Sequence, residues 1–304
     1  MKTSIPDAVG ASAGHAPAVR ADTPAHRAAG HGAPSDAGWG GADGQALASA
    51  SVPGVPAAAP DAVPAGASPV RGASTVFGRA LGTWFYFGMG WLVLAVVAYG
   101  FGRHAGDRLF HPAVPPPLIL HVHVLVFAGW VLLFLVQSGL VRGANVRLHR
   151  RLGVLGGVLG AVLPVMGVVT ALAMQRWHAN RGPVNDAFLS ISLNDMLTFA
   201  VAFGLALRWR RQPERHRRLM LIATCGLTGA AFARFPHELV PAYSWYLGVD
   251  LLIALGMLRD LIVDGRVHPV YRIGLSCVMA GQATAMYLLL AAPAGWLAFL
   301  HALY

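Results

Sequence analysis

Charged residues are scarce in this chain, and lysine and cysteine are almost missing. Charged residues make up 12% and hydrophobic residues 56% of its 304 residues, whereas about a quarter of an average soluble domain is charged. A soluble fold of this size could not bury so much apolar surface. The two cysteines, Cys225 and Cys277, exclude a disulfide framework and any Cys-x-x-Cys motif for a metal or for haem attachment.

Common catalytic motifs are missing from the sequence as well. It contains no P-loop, no His-Glu-x-x-His and no Gly-x-Ser-x-Gly. Nucleotide hydrolysis and the common hydrolase mechanisms therefore have no support. These absences favour a protein that is not an enzyme.

Long apolar stretches fill the chain after its first 80 residues. Each stretch has about 17 to 24 residues, which is the length that crosses a hydrocarbon core of about 30 Å at 1.5 Å per residue. The stretches are Leu81–Phe101, Leu118–Val141, Leu152–Met174, Phe188–Leu207, Leu219–Phe235, Tyr243–Val263 and Ile273–Ala291. They predict an all-α, polytopic transmembrane helical bundle with about seven spans.

The basic residues lie mainly on one side of this predicted series. Fifteen of the 23 Lys and Arg residues fall on that side, five on the other and three in the N-terminal tail. Positive charge is retained in the cytoplasm, so we expect a cytoplasmic N-terminus and an external C-terminus. The net charge of +10 does not indicate nucleic-acid binding, because the arginines lie in short loops beside the lipid bilayer, where anionic lipids are the nearest partners. The lipid-headgroup candidates are His149, Arg150, Arg151, Arg215, His216, Arg217 and Arg218.

Residues 1–75 are rich in Ala, Gly, Pro and Ser and lack hydrophobic periodicity. Such a segment cannot bury enough apolar surface to offset its ordering entropy, so we expect a disordered cytoplasmic tail. We assign residues 76–304 to the transmembrane helical domain. No apolar run follows Lys2, so a cleavable signal peptide is not expected.

Several predicted spans carry polar residues at a similar depth near the external side. Ionisable residues inside a membrane are costly, and each one is therefore a candidate for function. Asp195, for example, lies about 10 Å below the start of its span at 1.5 Å per residue. The ligand-binding candidates are His121, His123, Asn194, Asp195, Arg234, His237, Asp250 and Gln282. We interpret them as an outward-facing polar cavity for a small ligand or ion.

Other interpretations of the same residues remain open at this point. Asp195, Asp250 and Arg234 could form a buried ion-pair network that only fixes the helices, with His121 satisfied by Asn194. A metal site is a second alternative, with His121, His123 and His237 as ligand candidates. His121 and His123 lie about 200° apart on a regular helix, so they could share one ion only if that segment were irregular. Haem or quinone binding and proton-coupled transport are further alternatives.

Four segments carry a resemblance to a known group of proteins. They are Leu148-His-Arg-Arg-Leu-Gly153, Glu214-Arg-His-Arg-Arg-Leu-Met220, Leu132-Leu-Phe-Leu-Val-Gln137 and Val267-His-Pro-Val-Tyr271. As a set, they resemble a group of uncharacterised bacterial multi-pass membrane proteins, over roughly Leu81 to Leu300. The resemblance implies a helical bundle in the bacterial cytoplasmic (inner) membrane and supplies no catalytic residues.

A more distant similarity points to a rival function. The chain also looks like small His-containing membrane proteins that help to assemble respiratory oxidases, which implies a membrane redox protein that handles haem or a metal. A third class of function is a structural subunit of a larger membrane complex, in which a membrane protein would be the partner.

Overall fold

A computed structural model describes residues 76–106 and 114–302, apart from the side chain of Phe77. The predicted tail, residues 1–75, lies outside the described residues. Within the described ranges the chain is helical and has no strand. The predicted all-α helical bundle is therefore confirmed.

Nine α-helices and a short 3-10 turn, Asp186–Phe188, make up the described residues. The helices are α1 Val76–Ala105, α2 Leu118–Arg142, α3 Val146–Ala179, α4 Leu189–Arg208, α5 Pro213–Gly226, α6 Gly229–Phe232, α7 Trp245–Asp264, α8 Pro269–Ala291 and α9 Ala294–His301.

Five stretches of the described residues are helical, long and apolar enough to cross a membrane. They are Gly78–Ala105 in α1, then α2, α3, the stretch Asp186–Arg208 that contains α4, and α8. The chain is thus a membrane protein with about five spans, and the predicted number of seven is corrected.

The residues predicted as the fifth span do not form one helix. Helix α5 ends at Gly226, and α6 covers only Gly229–Phe232. Between them, the hydroxyl of Thr228 donates a 2.6 Å hydrogen bond to the carbonyl of Cys225. At 14 residues, α5 reaches only about 21 Å at 1.5 Å per residue. The prediction joined the two helices because their sequence is continuously apolar.

The residues predicted as the sixth span do form one helix, but that helix is too charged to count as an apolar span. Helix α7 has 20 residues and includes Asp250, Arg259, Asp260 and Asp264. Charged side chains are expensive in hydrocarbon. This cost explains why α7 places Arg259 and Asp260 in the protein interior.

Helix α5 lies at the centre of the bundle. It packs against α1, α4, α7 and α8, and every residue from Leu221 to Gly226 is buried. A helix that is buried on all sides belongs to the core. By contrast, α3 exposes Val154, Val158 and Val165, which is the expected behaviour of side chains that face lipid.

Contacts between helix ends define the two ends of the bundle. At the end that we call the basic end, the Arg142 guanidinium in α2 lies 3.2 Å from the centre of the Trp84 ring in α1. At the opposite end, Tyr99 of α1 packs edge-on against Phe235, with 4.8 Å between ring centres. Asn194 and Asp195 near the start of α4, and Asp250 near the start of α7, therefore belong to the half of the bundle near the opposite end.

Candidate functional site

A hydrogen-bonded carboxyl group joins α4 to α7. The Tyr246 hydroxyl donates a 2.8 Å hydrogen bond to Oδ1 of Asp195. The Asn194 amide donates to the same carboxylate oxygen at 3.3 Å and to the Tyr246 oxygen at 3.2 Å. One carboxylate oxygen is thus held by two neutral donors, one from each helix.

A second carboxyl group, that of Asp250, lies one helical turn after Tyr246 on α7. Oδ1 of Asp250 accepts a 3.0 Å hydrogen bond from the Gln282 amide in α8. Next to Gln282, a Cβ atom added to Gly281 would lie 2.5 Å from Oδ1 of Asn194, so α8 also approaches α4 closely. We call Asn194, Asp195, Tyr246, Asp250 and Gln282 the carboxylate cluster. It connects α4, α7 and α8.

Both carboxyl groups of the carboxylate cluster have neutral hydrogen-bond partners. The ion pairs among the described residues do not include Asp195 or Asp250. The alternative network of Asp195, Asp250 and Arg234 is therefore not what the structure displays. Arg234 instead places its guanidinium 4.4 Å from the centre of the Phe101 ring and donates to the carbonyl of Ala230.

The histidine candidates are not bonded to the carboxylate cluster. In the described part of the chain, no hydrogen bond or ion pair joins His121, His123 or His237 to it. The ring of His123 stacks on Phe127 in the same helix, with 3.9 Å between ring centres. His237 is exposed and, together with Tyr243 and other residues, lines a shallow depression of about 140 Å³.

A metal site is not supported by the positions of these histidines. Helix α2 is regular from Leu118 onward, so His121 and His123 point to different sides of it. Among the described residues there is no group of three His, Cys, Asp or Glu side chains that could hold an ion. The side chains present therefore do not fit the metal alternative.

A buried ion-pair cluster, which the sequence analysis did not predict, lies at the basic end. The guanidinium of Arg218 donates two hydrogen bonds of 2.8 Å to the two carboxylate oxygens of Asp260. It also contacts Asp264 at 3.0 Å and Glu214. Arg259 binds Asp260 at 3.0 Å and Asp264 at 2.7 Å. We call these five residues the ion-pair cluster; it joins α5 to α7.

Two groups at the edge of the ion-pair cluster have shifted pKa values. Burial alone would raise the pKa of Glu214, but the hydrogen bond from Arg218 and the charge of Arg217 outweigh it and hold that pKa below its ordinary value. Burial and the charge of Arg218 lower the pKa of His268. A neutral His268 ring can accept the 3.1 Å hydrogen bond from the Val270 amide that caps α8.

Arg218 has to be removed from the set of lipid-headgroup candidates. Its side chain is 2% exposed, and its donors are used by carboxylates, so it cannot reach a headgroup. Arg217 pairs with Glu214 at 2.6 Å. His216 contacts the Ala206 carbonyl at 2.9 Å, and His149 is partly buried nearby and interacts with it. The candidates that remain exposed are Arg150, Arg151 and Arg215.

Residue spacing in the sequence could have indicated two of these contacts. Tyr246 lies four residues before Asp250 and therefore on the same face of α7. Asp260 and Asp264 have the same spacing. They are carboxylates at an otherwise basic end, which is a signal for internal pairing.

Comparisons of the chain with protein-family models, with curated proteins and with solved structures gave no match. The resemblance to a bacterial group of membrane proteins therefore stays a prediction. The function has to be argued from the site alone.

Proposed function

We propose that this chain is a proton-binding protein of the bacterial cytoplasmic membrane and that Asp195 is the group that takes up and releases the proton. The observation that supports this proposal is the set of neutral partners around the two carboxyl groups of the carboxylate cluster. A carboxylate that is away from water and lacks a cationic partner is costly, and protonation removes that cost. A proton needs no open cavity, unlike the larger ligands considered from the sequence.

The geometry around Asp195 suits a group that changes its protonation state. Oδ1 accepts hydrogen bonds from Tyr246 and Asn194, and these bonds stabilise the charged form. The other oxygen, Oδ2, faces Gly229, where an added Cβ would lie 3.5 Å away. A proton on Oδ2 therefore leaves both hydrogen bonds to Oδ1 intact. Asp250 and Gln282 add further polar groups from α7 and α8, and Gly281 allows α8 to approach Asn194 closely.

Infrared difference spectroscopy on the reconstituted protein tests this proposal. Between alkaline and acidic buffer, the wild-type protein is expected to gain the carbonyl band of a protonated carboxylic acid, because Asp195 takes up a proton. Asp195→Asn should remove that band. Glu238→Gln is the control, since Glu238 is exposed and belongs to the connection before α7; this variant should retain the band.

A wild-type spectrum without an acid band that depends on Asp195 would overturn the proposal. A band that disappears in Asp250→Asn but persists in Asp195→Asn would also contradict it, because the proton would then be bound by the other carboxyl group.

The orientation of the protein in the membrane is part of this proposal. The basic end would face the cytoplasm, where Arg150, Arg151 and Arg215 can contact anionic lipids. Since the number of spans is odd, the C-terminus would lie outside the cytoplasm.

Reporter fusions at the C-terminus test this orientation. A fused alkaline phosphatase is expected to be active, because it folds outside the cytoplasm, and a fused green fluorescent protein is expected to be dark. A fluorescent fusion with inactive phosphatase would show the opposite orientation. Fusions at Gly143, which the proposal places in the cytoplasm, provide the control and should give the reverse pattern.

A further inference from the structure

Most of the buried polar residues of the bundle lie on its central helix or on two helices packed against it, and we call this set the polar line. Eight polar or charged residues are buried in the described part of the chain, and six of them lie on or next to α5, α7 and α8. These six are Arg218, Thr224, Thr228, Arg259, Asp260 and Gln282. Because burying a polar group in an apolar core is costly, their concentration around the central helix calls for a functional explanation.

Two tyrosines extend this line inward from the ion-pair cluster. Tyr271 is fully buried, and its hydroxyl packs against Gly256, one helical turn before Asp260 on α7. The Tyr271 side chain interacts electrostatically with Asp260, with Tyr86 of α1 and with Cys225. Within the described structure, the hydroxyls of Tyr86 and Tyr271 are buried and lie close enough to interact with each other. A tyrosine hydroxyl can accept one hydrogen bond and donate another, so the pair can pass a proton between α1 and α8.

The break between α5 and α6 continues the line to the carboxylate cluster. Thr224 is buried and accepts a 3.3 Å hydrogen bond from the Trp130 indole. Thr228 donates to the carbonyl of Cys225, and the next residue, Gly229, faces Oδ2 of Asp195. Near Asp195 the chain thus carries two buried hydroxyls, those of Thr224 and Thr228, which donate hydrogen bonds to the carbonyls of Met220 and Cys225.

We propose that this line of groups is a proton path, which runs from Asp195 past Thr228 and Tyr271 to the ion-pair cluster. The inference rests on the proposed function of Asp195. Along α7, the distance from Asp250 to Asp260 is about 15 Å for ten residues, so bridging water molecules are required between the side chains. At the basic end, the side chains of Asp264 and Glu214 are 37% and 56% exposed, and they connect the path to the solution.

The transfer along the path conserves protons and charge. The Asp195 carboxyl loses its proton to a water molecule, and each hydroxyl or water that accepts a proton passes another one to its neighbour. The Asp264 or Glu214 carboxylate receives the last proton and releases it to the solution at the basic end. Asp195 is then reprotonated from the opposite side. Each cycle moves one positive charge across the protein, so a counter-ion has to move as well.

Proton flux into liposomes that contain the full-length protein and a pH-sensitive dye tests the path, with potassium and valinomycin to supply the counter-ion. The wild-type protein is expected to conduct protons faster than protein-free liposomes. Tyr271→Phe should lower the flux about tenfold or more, a smaller effect than the roughly 10²–10⁴-fold that a positioned acid or base contributes, because water can partly replace the hydroxyl. Tyr287→Phe is the matched control, because Tyr287 lies on the same helix but is 62% exposed; it should conduct like wild type.

The infrared spectrum of Asp195 separates failure of the path from failure of the proposed function. Flux no faster than that of protein-free liposomes, or equal flux in Tyr271→Phe and Tyr287→Phe, overturns the path even when the Asp195 band is present. If the spectrum of the wild-type protein has no acid band that depends on Asp195, the proposed function itself is overturned. Should Tyr271→Phe fail to fold, Tyr86→Phe removes the neighbouring hydroxyl from α1, and the same decrease in flux is expected.

Discussion

Arg218→Ala is expected to lower the free energy of unfolding by about 3–5 kcal/mol, the usual cost of removing one partner from a buried ion pair. Asp260 is fully buried and would lose two hydrogen bonds of 2.8 Å. Its carboxylate would keep only part of its compensation, from Arg259 and the His268 amide. The measurement is the midpoint of unfolding of the purified protein in detergent, by heat or by denaturant.

Arg215→Ala is the control for this prediction. Arg215 is on the same helix, but it is exposed and lies 5.0 Å from the Trp209 ring centre, so its removal should change stability little. The double variant Arg218→Ala with Asp260→Ala should be more stable than Arg218→Ala alone, because no buried charge is then left without its main partner. Equal midpoints for Arg218→Ala and Arg215→Ala would contradict the role that we assign to the ion-pair cluster.

Gly100→Ala is expected to destabilise the protein by about 1–3 kcal/mol or more, because the added methyl group overfills a close helix contact. A Cβ atom at Gly100 in α1 would collide with the backbone carbonyl of Ala231 in α6. Backbone atoms cannot move aside as a flexible side chain can, so α1 and the α5–α6 segment would have to separate. The midpoint of unfolding reports the loss, and weaker proton flux should accompany it.

Gly102→Ala is a matched control on the same helix. A Cβ atom at Gly102 meets nothing within 4 Å, and alanine favours a helix by about 1 kcal/mol over glycine. This variant should therefore be as stable as wild type or more stable. Similar destabilisation by both substitutions would show that glycine is required for reasons other than the contact with Ala231.

Much of the helical structure could be predicted from the apolar runs alone. The predicted span Leu118–Val141 agrees with α2 to within one residue. The observed start of α3 at Val146 precedes the predicted Leu152, because a helix can extend beyond the apolar run into a basic surface. The break after Gly226 was not predictable from hydropathy, since Leu227 is as apolar as its neighbours. The glycines at 226 and 229 are the available signal for the break, because glycine is unfavourable inside a helix.

The candidate site could be predicted only in part. Depth along a helix placed Asp195 and Asp250 at a similar level, and the structure joins Asp195 to Tyr246 of α7 and Asp250 to Gln282 of α8. Depth says nothing about which way a helix faces, however. The sequence therefore could not separate Arg234, beside Phe101 in the structure, from residues that face Asp195. Pairing of Arg218 with Asp260 depends on a contact between residues 42 positions apart, which no local pattern encodes.

The interrupted central helix has a consequence for biosynthesis. During translation, α5 emerges as a short segment that carries Arg218, and a segment of this kind is poorly recognised by the insertion machinery when it is alone. Glu214 is present from the start, but the other two carboxylate partners of Arg218, Asp260 and Asp264, are synthesised later. We therefore expect α5, α6 and α7 to take their places in the bundle together, after α4 has been inserted. A nascent chain that is stopped before Asp260 would leave this part of the protein open to proteases and chaperones.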